Sequence, residues 1–111
     1  MIQEYEELYD LVNEINLKHN LEIELDNIVD TYGEDVIELI AEDLDAFEEK
    51  IEWLLSLGFS DTVSDICRYG ILFAEDNNLF ISKFSELIQR LGNDYVDEIS
   101  EDLSLLEEVL L

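Results

Sequence analysis

Apolar residues recur at steps of three and four along most of this chain, and the runs are punctuated by Gly33, Gly58, Gly70 and Gly92, with no proline in 111 residues. Such spacing gathers side chains on one face of an α-helix, and a glycine closing a run is a C-cap signal. The expected fold is all-α: a small helical bundle or short helical-repeat array of about five to six helices. Ile2, Tyr5, Leu8, Tyr9, Val12 and Ile15 define a first helix ending near Asn16. Leu21, Ile23 and Leu25 alternate, which suits an extended connection over 17–25. Ile28, Val29 and Tyr32 then suggest a short helix closed by Gly33.

From Glu34 to Leu57 the positions Ile37, Ile40, Leu44, Phe47, Ile51 and Leu54 keep the helical step with no Gly, Pro or Asn between them. One long helix is expected there. Ser60 is a candidate N-cap for a helix over Asp61 to Tyr69, ended by Gly70. Ile71 to Asn78 reads as a connection with a turn at Asn77-Asn78, followed by a helix from about Leu79 to Leu91 that buries Phe80, Phe84, Leu87 and Leu91. Asn93 can cap a last helix through Leu110, with Val96, Ile99, Leu103, Leu106 and Leu110 inward.

The charge is extreme: thirty Asp or Glu against five Lys or Arg, a formal net charge of -25. High net charge with few apolar residues means disorder, but here 48% of the chain is hydrophobic and the aromatics are spread along it, so a core can form. The length suits one domain, and residues 1–111 are expected to form a single acidic helical domain. Cys67 is the only cysteine, so no internal disulfide can form and the chain reads as cytoplasmic. No segment approaches the roughly 18 apolar residues of a membrane span.

The sequence also echoes itself. Residues 33–51 align with 92–110 at Gly33/Gly92, Asp35/Asp94, Ile40/Ile99, Glu42/Glu101, Asp43/Asp102, Leu44/Leu103, Glu48/Glu107 and Glu49/Glu108. Asp61, Val63 and Ile66 supply a partial third copy. Acidic amphipathic helices can resemble one another through composition alone, so repetition stands beside that simpler account. Residues 50–92, with KIEWLLSLGFSDTVSDI, YGILF and KFSELIQRLG, resemble one repeat of the mitochondrial transcription termination factor family. That resemblance implies helical-repeat packing. The family has a proline where Gly70 stands and binds DNA through basic surfaces, so DNA binding is not carried over.

Glu34, Glu38, Glu42, Asp45, Glu49 and Glu52 fall at steps of four, four, three, four and three, an acidic stripe opposite the apolar one. Like charges at i,i+4 destabilise a helix, so a run of them with almost no interleaved lysine suggests a use beyond solvation. A rise of 1.5 Å per residue spaces such carboxylates roughly 5 to 6 Å apart. Duplex DNA carries one charge about every 1.7 Å of axis, so two or three acidic helices together approach its density. In size, charge and helix content the chain resembles the DNA-mimic inhibitors that phages and mobile elements direct against CRISPR and restriction nucleases. The resemblance implies a basic nucleic-acid-binding protein, such as a nuclease, as partner, with cytoplasmic location in a bacterial host if the chain is phage-encoded. It implies no direct contact with nucleic acid and none with membrane.

The first candidate contact set is Glu34, Glu38, Glu42, Asp45, Glu49 and Glu52; the second is Glu98, Glu101 and Glu108. Two other readings share this physics. One is an immunity protein or antitoxin that plugs a basic toxin. The other is an acidic scaffold that forms a homodimer, for which Trp53, beside the main stripe, is the residue of interest. A Trp so placed more often completes a core.

Catalysis and cofactors have no motif to rest on. With Gly33 as the turn glycine of a calcium loop, the first and last ligand positions fall on Ile28 and Leu39. His19 is the sole histidine and is read as a surface residue, which leaves no His-rich zinc site. Cys67 sits between Ile66 and Arg68 and aligns with Ala41, as a small core residue would. No enzyme activity is expected.

Overall fold

The computed structural model describes residues 5–107. Among them are seven α-helical segments, one of them a single turn: α1 (Glu6–His19), α2 (Leu25–Tyr32), α3 (Glu34–Ala41), α4 (Leu44–Leu57), α5 (Val63–Ile66), α6 (Asn77–Leu91) and α7 (Tyr95–Glu101). Short 3-10 turns occupy Gly70–Ala74, Gly92–Asp94 and Leu103–Leu106. The chain is a small all-α bundle, as the apolar spacing predicts. The expected positions Ile2, Glu108 and Leu110 lie outside the described residues.

Helix α1 runs one turn past Asn16 because that side chain does not stop it. The Asn16 amide instead pairs with the backbone of Ile23, donating to its carbonyl at 3.0 Å and accepting from its N–H at 2.9 Å. This holds 21–24 extended beside the helix, with Leu21 and Ile23 buried as their alternation predicts. The helix closes at Asn20, left-handed at φ 56°.

Gly33 ends α2 and begins α3 at φ 89°, a backbone region that favours glycine. Gly70 does a different job from the expected cap. A Cβ there would overlap Cγ2 of Ile28, so the missing side chain lets the 70–74 turn lie against α2. The preceding helix is one turn, Val63–Ile66, preceded by Thr62; Ser60 is exposed and is not its cap.

The expected single helix over 34–57 is two helices. Asp43 is extended at φ -145°, ψ 90°, and its carboxylate accepts from the Ala46 N–H at 3.1 Å, the N-cap arrangement. The apolar stripe crosses this break unchanged: Ile37, Ile40, Phe47, Ile51 and Leu54 are all buried. The break lets α3 pack on α2 and the 70–74 turn, while α4 packs on α1 and α6. The last segment is similarly divided. Gly92–Asp94 is a 3-10 turn, α7 follows without a cap from Asn93, and Asp102 separates it from the 103–106 turn.

Aromatic rings knit the core. Phe47, Phe73, Phe80, Phe84 and Phe59 stand in sequence with centroids 5.5 to 6.1 Å apart, joining α4, the 70–74 turn, α6 and the loop after α4. Trp53 meets Phe80 and Phe84 edge-on at 5.8 and 5.7 Å. It therefore belongs to the core's edge. Helix α7 docks through Ile99, which is fully buried, and through Tyr95, whose hydroxyl donates to the Leu57 carbonyl at 3.2 Å.

Candidate functional site

Two aspartates at helix starts define a concave acidic part of the surface. Asp43 caps α4, and Asp76 caps α6 by accepting from the Asn78 N–H at 3.0 Å. Helix N-termini carry partial positive charge, so carboxylates are stabilised there despite their neighbours. The packing of α4 against both α6 and the 70–74 turn brings these two starts onto one cavity of about 420 Å³. Glu42, Asp43, Asp45, Glu49, Glu75 and Asp76 line it, together with Lys50, Asn77 and the half-exposed Leu39 at its apolar margin.

The lining is partly bonded. Asn77 donates to Glu49 at 2.8 Å, and Lys83 pairs with Glu75 at 3.0 Å. The second oxygen of Glu75 and the amide oxygen of Asn77 are shut off from water and have no hydrogen-bond donor among the described residues. Orphaned buried acceptors of this kind cost free energy that a donor could restore.

Lys50 is only 3% exposed, a rare burial for lysine. Its ammonium donates to the Phe73 carbonyl at 3.3 Å and lies 5.8 Å from the centre of the Phe80 ring. Burial pushes its pKa below the ordinary lysine value; Asp43, Asp76, Glu75 and Glu49 oppose that shift by favouring the charged form. Lys50 thus pins α4 to the 70–74 turn from within an acidic wall.

The structure divides the expected acidic stripe. Glu34 and Glu38 lie on α3, Glu42 sits at its end, and Asp45, Glu49 and Glu52 lie on α4 beyond the break. All six are exposed, but one unbroken helical row does not exist, because Asp43 caps a new helix in its middle. Glu42, Asp45 and Glu49 come together at the cavity, whereas Glu34, Glu38 and Glu52 do not line it. Glu98 and Glu101 are exposed on α7, and Glu108 lies outside the described residues. Sequence spacing alone misses Asp43, Glu75, Asp76, Asn77 and Lys50. Two of these carried a readable signal: an aspartate directly before a helical run at Asp43 and Asp76.

Cys67 is buried, and burial raises its thiol pKa, so it is an inert core residue as expected. His19 lies in the last turn of α1 and is half-buried. Among the described residues no three His, Cys, Asp or Glu side chains are placed to hold a metal ion, and no helix is long and apolar enough to cross a membrane. No family model matches this chain, and no curated protein or solved structure matches it.

Proposed function

We propose that this protein is a nucleic-acid mimic: a non-catalytic inhibitor that presents its carboxylates as a phosphate-backbone surrogate to a basic nucleic-acid-binding protein, with a nuclease as the favoured target. The observation that carries this reading is the excess of exposed acid over any available counter-charge. Five basic side chains cannot neutralise thirty carboxylates, and Lys50 is buried. Glu34, Glu38, Glu42, Asp45, Glu49, Glu52, Glu98 and Glu101 all stand in solvent on a core that holds them in fixed places. A field of this sign attracts surfaces lined with Lys and Arg and repels nucleic acid itself.

The test is a tagged capture from bacterial lysates, eluted separately with a salt ladder and with competing duplex DNA or RNA, and read by mass spectrometry. Release of a nucleic-acid-binding protein by the competing polymer is the expected result. Capture of a single partner that nucleic acid does not displace would replace mimicry with the immunity-protein reading.

A further inference from the structure

Helix α6 departs from the rest of the surface in charge. Acids occupy most of the exposed positions on α1, α3 and α7, whereas on α6 the only exposed acid is Glu86. Ile81, Ser82, Ser85, Ile88 and Gln89 lie along one side of α6 at steps of three and four, and none of them is charged. Ile81 is 37% exposed, and Ser85 and Ile88 are half-buried, so this strip is open surface and not core.

The strip borders α4. Asn77 bonds Glu49, and one turn further along both helices Trp53 meets Phe80 and Phe84, so α4 and α6 run side by side in the same direction. Trp53 follows Glu49 by four residues and Ile81 follows Asn77 by four, which sets the half-buried indole on the same side as the strip. Acids return only around it, at Glu49 and Glu52 on α4 and at Glu86 on the far side of α6. Aromatic and aliphatic residues with uncharged polar neighbours inside a charged rim are the make-up of a protein interface.

Charge decides the occupant. A basic partner is drawn to carboxylates, and this is the face from which they are withheld. A second copy of the chain has the opposite need: two bodies of net charge -25 approach most readily where neither presents an acid. Two-fold pairing also sets each residue of a face against the same face, which an uncharged strip permits and a carboxylate row does not. We infer that two copies of this chain associate along α6, antiparallel about a two-fold axis near Ser85, with Trp53 of each copy at the margin. Antiparallel pairing also opposes the two helix dipoles. Fifteen residues make α6 about 22 Å long, a small contact, so the dimer is expected to depend on concentration. The inference goes beyond the mimicry reading, which concerns the acidic remainder of the surface.

The test is sedimentation velocity of the full chain over a wide concentration range at low and high salt. Mass should rise with concentration from the 12.9 kDa of one chain to twice that value. Salt should strengthen the association by screening repulsion between the two acidic bodies, the reverse of its effect on a basic partner. Ile81→Glu sets like charges against each other across the axis and should restore the single-chain mass. Ser82→Glu/Gln89→Glu should do the same from exposed positions only, so that folding is spared, as circular dichroism checks. Leu17→Glu, which charges an exposed leucine on α1, should leave the dimer intact. A chain that stays monomeric at every concentration and salt, or a dimer that the folded Ser82→Glu/Gln89→Glu variant leaves unchanged, would overturn the inference.

Discussion

Asp43 and Asp102, 59 residues apart, adopt the same extended backbone, φ -145°, ψ 90° and φ -140°, ψ 88°, and each caps the helical turn that follows it. Asp43 accepts from the Ala46 N–H at 3.1 Å and Asp102 from the Ser104 N–H at 3.2 Å. The paired glycines Gly33 and Gly92 match as well, with φ of 89° and 81°. The aligned core positions Ile40 and Ile99 are both buried, as are Phe47 and Leu106. The two aligned segments therefore share their break points in backbone conformation, which composition alone does not require.

These caps predict a measurable asymmetry. Asp43→Ala removes the N-cap of a fourteen-residue helix and should cost about 1 kcal/mol, measured by urea denaturation. Asp43→Asn keeps an acceptor at the cap while removing one charge from the acidic wall, and should cost much less. Equal losses from the two substitutions would mean that the charge, and not the cap, is what matters.

The same break explains how far the sequence could be read. Helical class and core faces follow from the three-and-four step, which survives the break because Ile40 and Phe47 stay in phase across it. The break itself is signalled only by one aspartate among many acids, so a capping residue is camouflaged by composition. Lys50 was legible in principle: it lies three residues after Phe47 and four before Leu54, on the inward face. Glu75 and Asn77 were not, because their role arises from long-range packing of the 70–74 turn and α6 against α4. The acids opposite the apolar face are exposed, as their spacing implies, but their grouping depends on where α4 turns away from α3.

Gly70→Ala should destabilise the protein, since the added methyl meets Ile28 in a closely packed core; a cost of about 1 to 3 kcal/mol is typical of such overpacking. Combining it with Ile28→Ala, which removes the Cγ2 that the new methyl would meet, should recover part of the loss relative to the sum of the single changes. Simple additivity in a double-mutant cycle would deny that the two positions touch.

Alkaline titration should separate two buried groups of opposite sign. The folded state holds the Cys67 proton that the unfolded chain releases above the ordinary thiol value of 9.0, so this residue subtracts stability as pH rises beyond that value, by about 1.4 kcal/mol per pH unit. Lys50 acts the other way. Its folded pKa lies below the ordinary 10.5, so the unfolded chain binds the extra proton between those values, and stability is gained across that window as pH rises. Cys67→Ala should flatten the alkaline loss, whereas Lys50→Met should steepen it. Denaturation midpoints from pH 8 to pH 11 for the three proteins check both signs.

Self-repulsion gives a further expectation. Raising ionic strength from 0.01 M to 1 M shrinks the Debye length from about 30 Å to about 3 Å, so the melting temperature should climb as repulsion among the exposed acids is screened. A melting temperature indifferent to salt would contradict a concentrated charge surface.

The central claim is tested most directly by charge reversal outside the cavity. Glu34→Lys/Glu38→Lys/Glu52→Lys alters three exposed positions on α3 and α4 while sparing the core and the residues lining the cavity. The affinity of this variant for the captured partner, measured beside the wild type at several salt concentrations, should fall at least tenfold and lose part of its salt dependence, with helicity retained. Unchanged affinity in a folded variant would contradict the account.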